Sequence, residues 1–204
     1  MRPSALYNVI AVLSAPVLYG LYRLRVRGRE HLPKQGGYVL ACNHVSSFDP
    51  WPLAMPLWPK RYLRFMAKSE LYWFPLTLVL RNAGAFPVHR GERDTAAVET
   101  AVALARGGYA VAMFPEGTRR TKGLVKRHEA RPRSGAARIA IEAGVPLVPA
   151  AVKGTDKLTR LGALRVAYGE PIAIDDLRDR ELSDAAREAT SRLMERILEL
   201  EASL

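Results

Sequence analysis

A chain of 204 residues, 49% hydrophobic and 25% charged, is long enough for one sizeable core, too short for two ordinary domains, and too apolar to be intrinsically disordered. Lysine and arginine number 31 against 20 aspartates and glutamates, so the formal charge is +11. An anionic partner is expected: nucleic acid, a phosphate-bearing substrate or an anionic membrane.

Residues 3–22 carry no charge and are bracketed by Arg2 and Arg23. As a helix rising about 1.5 Å per residue they extend roughly 30 Å, the thickness of a bilayer core. Ser4, Asn8, Ser14 and Pro16 dilute the stretch, while Leu6, Val9, Ile10, Leu13 and Val17 recur at helical spacing. Pro16 spoils the cleavage site that Ser14-Ala15 would offer a signal peptide. Residues 1–23 are therefore expected to form a helix lying in a membrane interface, with a single span and a plain core helix as alternatives. Tyr7, Tyr19 and Tyr22 suit a headgroup boundary, and Arg23, Arg25, Arg27 and Arg29 suit anionic lipid on the cytoplasmic side. Cys42, the only cysteine, excludes an intramolecular disulfide and fits the same reducing compartment.

From residue 24 to 204 short apolar runs alternate with helical patterns. Strands are expected at Leu24–Arg27, Tyr38–Cys42, Tyr62–Ala67, Ala85–His89, Tyr109–Phe114, Pro146–Val152 and Leu164–Tyr168. Asp94 can cap a helix carrying Val98, Ala101, Val102 and Ala105, and Gly107 ends it. A second helix runs from Ser134 to Ala143, stopped by Gly144 and Pro146. A third follows Ser183 to about residue 201, with Leu182, Ala186, Ala189, Leu193, Ile197 and Leu200 on one face. Alternation of this kind predicts a single α/β domain, a mostly parallel or mixed sheet covered by helices. Between Asp49 and Leu80 five prolines and all three tryptophans interrupt the pattern, which predicts a broken helix and loop, or an apolar wall for a greasy substrate.

The run Tyr38–Cys42 leads directly into Asn43-His44-Val45-Ser46-Ser47-Phe48-Asp49-Pro50. Polar residues at a strand's carboxyl end are where open α/β sheets place their sites. On a continuous helix His44 and Asp49 would point about 140° apart, so they meet only across a turn. Two readings stay open: Asp49 caps the helix that Pro50 begins, or it orients His44 as a general base. No Gly-x-Ser-x-Gly elbow offers a nucleophile, which favours direct attack by an acceptor's own hydroxyl. Two further strand ends carry charge: Gly84-Ala-Phe-Pro-Val-His-Arg90, and Phe114-Pro-Glu116-Gly117-Thr118-Arg119. Gly117 admits close approach of a ligand, Thr118 offers a hydrogen bond, and Arg119 can grip a phosphate.

These blocks, with Val145-Pro146-Leu-Val-Pro149 after them, occur in the order and spacing of the glycerolipid acyltransferase family, whose bacterial members include 1-acylglycerol-3-phosphate acyltransferases. The resemblance covers about residues 24–170. It implies acyl transfer to lysophosphatidate from acyl-CoA or acyl carrier protein, with no cofactor and no metal. It implies that His44 is the general base and Asp49 its orienting partner. Arg90, Glu116, Gly117, Thr118, Arg119 and Arg133 are implied on the acceptor's phosphate and glycerol, and Val145, Pro146 and Pro149 on the acyl-donor side. Arg133 departs from the family's usual lysine near this point. A different lysolipid acceptor, or a thioesterase using water, are the competing readings. Nucleic acid is not expected as partner, because the basic residues are scattered rather than interleaved with aromatics.

Overall fold

Each expected strand of the chain forms, and each lies within one residue of its expected bounds. In the computed structural model, which describes residues 4–89, 95–117, 121–122, 126–127, 132–177 and 179–204, the strands are β1 (Arg25–Arg27), β2 (Tyr38–Cys42), β3 (Leu63–Lys68), β4 (Ala85–Val88), β5 (Ala110–Met113), β8 (Leu147–Lys153) and β9 (Arg165–Tyr168). A separate two-residue hairpin, β6 (Thr121–Lys122) and β7 (Lys126–Arg127), lies between β5 and β8 in the chain. The seven-stranded sheet has the order β1-β9-β8-β2-β5-β3-β4. Every neighbouring pair is parallel except β8 with β9, so β1 and β9 run against the other five. The sheet is mixed, with its five parallel strands ending along one edge.

Period-two alternation divides the strands' side chains between two cores. Tyr38, Leu40, Cys42, Val148, Ala150 and Val152 face one side, where α1 (Ala5–Ala15) and α2 (Pro50–Ala54) cover them with Tyr7, Ala11 and Leu53. Val39, Ala41, Val111 and Leu147 face the other, under α4 (Thr95–Arg106), α5 (Gly135–Ala143) and α6 (Leu182–Ala202). The short α3 (Leu76–Asn82), which leads into β4, was not expected from the proline-rich stretch. That stretch also holds two 3₁₀ turns, at Met55–Leu57 and Ser69–Leu71.

The helix ends show which local signals acted. Ser4 caps α1 by accepting from the Tyr7 amide at 3.1 Å. Gly144, at φ +66°, closes α5 as expected. The cap of α6 is Glu181 rather than Ser183: its carboxylate accepts from the amides of Ser183 and Asp184, and the Ser183 hydroxyl donates to it as well. A carboxylate reaches further than a hydroxyl and meets the helix dipole with full charge. Asp94, the expected cap of α4, lies outside the described residues.

The N-terminal segment is not a separate unit. Tyr7, Ala11 and Leu18 are buried in the first core, Tyr7 meets Tyr62 edge-to-face at 4.7 Å, and Trp58 donates its indole N–H to Asn8 at 2.9 Å. The expected stripe turns outward instead: Leu6, Val9, Ile10 and Leu13 are all exposed, joined by Val12. Among the described residues no helix is long and apolar enough to cross a membrane, which removes the single-span alternative.

Candidate active site

The parallel direction of β2, β5, β3, β4 and β8 brings five loop entries to one edge, and His44 sits in the middle, just past β2. Two side-chain devices fix the loop it occupies. Asn43 donates to the Val152 carbonyl (3.0 Å) and accepts from the Val152 amide (2.8 Å), so its side chain pairs with β8 as a further rung of the ladder. Asp49, fully buried, folds back over the turn. One carboxylate oxygen accepts from the amides of Val45 (2.7 Å) and Ser46 (2.9 Å) and from Nδ1 of His44 at 2.8 Å. The other accepts from the Thr155 hydroxyl at 2.5 Å.

This arrangement decides between the two sequence readings of Asp49. Its side chain makes no capping bond to the helix that follows, and its backbone is already helical. All four donors to the carboxylate come from the His44 turn or from Thr155. A carboxylate only accepts, so the proton of the imidazole resides on Nδ1 and the lone pair on Nε2. The imidazole is only 8% exposed and lies against Phe114, centroids 4.2 Å apart and planes 20° from parallel. Held on one nitrogen and one ring face, it can accept a proton at Nε2 in a fixed direction.

The neighbours of His44 line three different hollows. Ser47 and Phe48 line an apolar groove of about 230 Å³ with Tyr7, Ile10, Trp51 and Leu80. Phe114 lines a cavity of about 180 Å³ with Gly117 and Arg133. Val45 lines a groove of about 500 Å³ with Lys153, Lys157 and Arg165.

Of the other expected site residues, Glu116 is buried (3% exposed) just past β5. Gly117 has φ +68°, and a side chain there would come within 2.9 Å of the Arg133 Nε, so the glycine makes room for that arginine. The Arg133 amide donates to the Pro115 carbonyl at 2.8 Å, which brings Arg133 beside Gly117. Arg90, Thr118 and Arg119 lie outside the described residues. Val145 and Pro146 precede β8, and β8 runs parallel to β2, so both sit at the edge opposite His44. They line a different groove, with Pro171 and Ile172. Pro149 is buried in mid-strand against Gly169. The structure does not bring these three to His44; their visible role is to seat β8 in the sheet. Among the described residues no group of three His, Cys, Asp or Glu side chains could hold a metal ion.

Thr155 is the part of the site that the motifs do not include, and the roles of Asn43 and Phe114, both inside motif blocks, show only in the structure. Thr155 follows Gly154 (φ +95°) at the end of a buried strand. That is the same signal that marked Asn43-His44, and it could have been read.

The fold and the pair together define an α/β protein with one oriented imidazole at the parallel strands' carboxyl edge. The acyltransferase family model matches residues 23–153. The chain is 31% identical over 187 residues to the 1-acyl-sn-glycerol-3-phosphate acyltransferase of Bacillus subtilis, covering 89% of each. It is 34% identical over 144 residues to the 1-acyl-sn-glycerol-3-phosphate acyltransferase alpha of Mus musculus, covering 69% of this chain and 48% of that one. It thus spans about half the length of that mammalian relative. The crystal structure of the 1-acyl-sn-glycerophosphate (LPA) acyltransferase PlsC from Thermotoga maritima superposes with a TM-score of 0.67 at 23% identity, over 96% of this chain and 79% of that one, a likeness of fold. The chain belongs to the acyltransferase family.

Proposed function

We propose that this protein moves a fatty acyl group from a thioester, acyl-CoA or acyl carrier protein, to the free hydroxyl of lysophosphatidate, forming phosphatidate for phospholipid synthesis. The observation that carries the reading is the Nδ1–carboxylate bond of His44, which leaves Nε2 as the base. Nε2 takes the hydroxyl proton as the oxygen attacks the thioester carbon. The carbon–sulfur bond then breaks, and the imidazolium returns its proton to the departing thiolate. Asp49 steadies the imidazolium and sets its direction. No acyl-enzyme forms, in keeping with the absence of a serine elbow.

The surroundings support this substrate class. Arg133 beside Gly117 can meet the acceptor's phosphate, with Glu116, Thr118, Arg119 and Arg90 as its proposed companions. The apolar groove next to Phe48 suits a fatty chain. Ile10 and Phe48 on the groove are exposed, as are Val9, Phe74, Leu78 and Val79. Laid on a membrane by the outer side of α1, the groove would open toward lipid.

A panel of lysolipid acceptors with radiolabelled palmitoyl-CoA and palmitoyl-acyl carrier protein, read by thin-layer chromatography, tests the reading. Labelled phosphatidate from lysophosphatidate is expected. Labelled palmitate released at the same rate with no acceptor would make the protein a thioesterase, and product from another lysolipid alone would replace the acceptor.

A further inference from the structure

The sheet carries a row of cations that the proposed acceptor site does not use. Arg25 of β1 is paired with Arg165 of β9, and Arg165 in turn with Lys153 of β8. Residues directly opposite on neighbouring strands point to the same face, so three positive side chains stand side by side across three strands. Like charges so placed oppose one another. Lys157 joins Lys153 and Arg165 in a groove that also holds Asp156 and Glu201, and Arg25 stands one strand beyond it. Yet among the described residues none of the four cations forms an ion pair. The Arg165 guanidinium instead donates to the carbonyls of Leu164 (3.0 Å) and Arg23 (3.5 Å). The fold gains nothing from this repulsion, which points to an anion from outside.

Where the row lies narrows the anion. Because β9 and β1 run against β8, Arg165 and Arg25 stand at the beginning of their strands and Lys153 at the end of its own, all on the edge that carries His44. Val45, next to His44, lines the groove with Lys153, so the row leads into the catalytic turn. Three strand spacings of about 4.8 Å put Arg25 roughly 14 Å from β2. Val26, Val166 and Val152 face the α1 core, so Arg25, Arg165 and Lys153 project from the opposite face, toward the end of α6 where Glu201 lies. The exposed apolar residues of α1 are on the other side of the sheet. A membrane met by α1 therefore does not face this row, whereas a water-soluble donor can.

We infer that Arg25, Arg165, Lys153 and Lys157 bind the phosphate of the donor's phosphopantetheine arm, which coenzyme A and acyl carrier protein share, and lay the extended arm along the sheet edge so that its thioester reaches His44. The inference rests on a thioester donor as proposed above. His44 then stands between two anion sites, the donor's on the β8–β9–β1 side and the acceptor's on the β5–β4 side.

The test uses the full chain and the double variant Arg25→Gln/Lys153→Gln, both exposed positions whose side chains hold no described ion pair. With palmitoyl-CoA and palmitoyl-acyl carrier protein the donor KM should rise about tenfold and lose most of its dependence on salt, as expected for a charged contact near solvent. The KM for lysophosphatidate should stay unchanged. Palmitoyl-N-acetylcysteamine, a thioester with no phosphate, should be used as well by the variant as by the parent, which also reports a folded enzyme. A rise with one natural donor only names that donor as the phosphate source. An unchanged KM for both, or an equal loss with the phosphate-free thioester, overturns the inference, as does weaker binding to phosphatidylglycerol vesicles with donor KM intact. Calorimetric titration of coenzyme A and holo-acyl carrier protein into both proteins reads the site without turnover. Failure of the parent to make phosphatidate would count against the proposed function, and equal binding of both ligands by parent and variant against this groove.

Discussion

The two faces of the sheet are built on different plans. Under α4, α5 and α6 the contacts are small and close: Ala101, Ala105, Ala136, Ala137, Ala140 and Ala189 are all at 0–1% exposure, interleaved with Ile139, Leu193 and Ile197. Under α1 and α2 the cover is short and interrupted, and it leaves an apolar groove with exposed side chains along its rim. The α1 face also buries the tyrosines Tyr7, Tyr38 and Tyr168, whereas among the described residues the α4–α6 face buries none. The comparison teaches that close packing and an open apolar groove are divided between faces. The segment that completes the first core, α1, is also the one that presents apolar surface outward.

Five measurements would break or sharpen that division. The largest effect belongs to the edge that both faces share: His44→Ala should lower kcat by about 10²–10⁴ with little change in acceptor KM or melting temperature. Asp49→Asn should fall almost as far. Asparagine can still accept from the two amides and can meet Thr155 through its amide, so the turn survives while the charge behind the imidazolium is lost. Near-normal turnover in a folded Asp49→Asn protein would sink the His–Asp mechanism. Next in size, Leu193→Ala on the sealed face should cost roughly 2–5 kcal/mol in denaturant unfolding. Preference among acyl chain lengths should not change; a changed preference would mean the faces are not independent. On the open face Ala54→Leu, which adds three carbons at the groove wall, should cut kcat/KM for the longest acyl chains by about tenfold relative to short ones, at a cost of about 1–3 kcal/mol in stability. Equal effects on all chains would remove the groove from substrate binding.

The smallest effect is one of pH. Burial pushes the Tyr7 and Tyr38 phenols up from the ordinary 10.0 to about 12, and holds the Tyr168 phenol well above 10.0 as well. Unfolded tyrosines ionise first, so the folded state holds more protons between these values and stability falls as pH rises from about 10 toward 12. Because these phenols belong to the α1 face, Tyr7→Phe should flatten that decline in a pH series of melting temperatures. An unchanged decline would mean that the face opens for another reason.

Much of the fold was legible because it is local. Buried strands show as short apolar runs, and Gly144 or Ser4 punctuates a helix through its own backbone. The N-terminal stripe shows where such legibility ends. Leu6, Val9, Ile10 and Leu13 are the more apolar arc of α1, but Tyr7 and Ala11 are the arc that meets the sheet; periodicity shows that a helix has two sides, not which one meets the core. Of the site, His44 and Asp49 were visible as a motif, while the choice between cap and partner required the turn. Thr155 and Val152 are over a hundred residues away and enter only through the pairing of β8 with β2. Val145 and Pro146 show the converse, for they stand near the other blocks in sequence and at the far edge in space.

One feature of that pairing reaches beyond catalysis. Where β2 stops, the Asn43 side chain supplies the donor and acceptor that the next peptide would have given, and the Val152 amide and carbonyl are spent on it. The turn that follows is tied down again at Val45 and Ser46 by Asp49. The reacting loop therefore has no low-energy door of its own. The amides of Val45 and Ser46 should accordingly exchange with deuterium as slowly as those of the strands on either side.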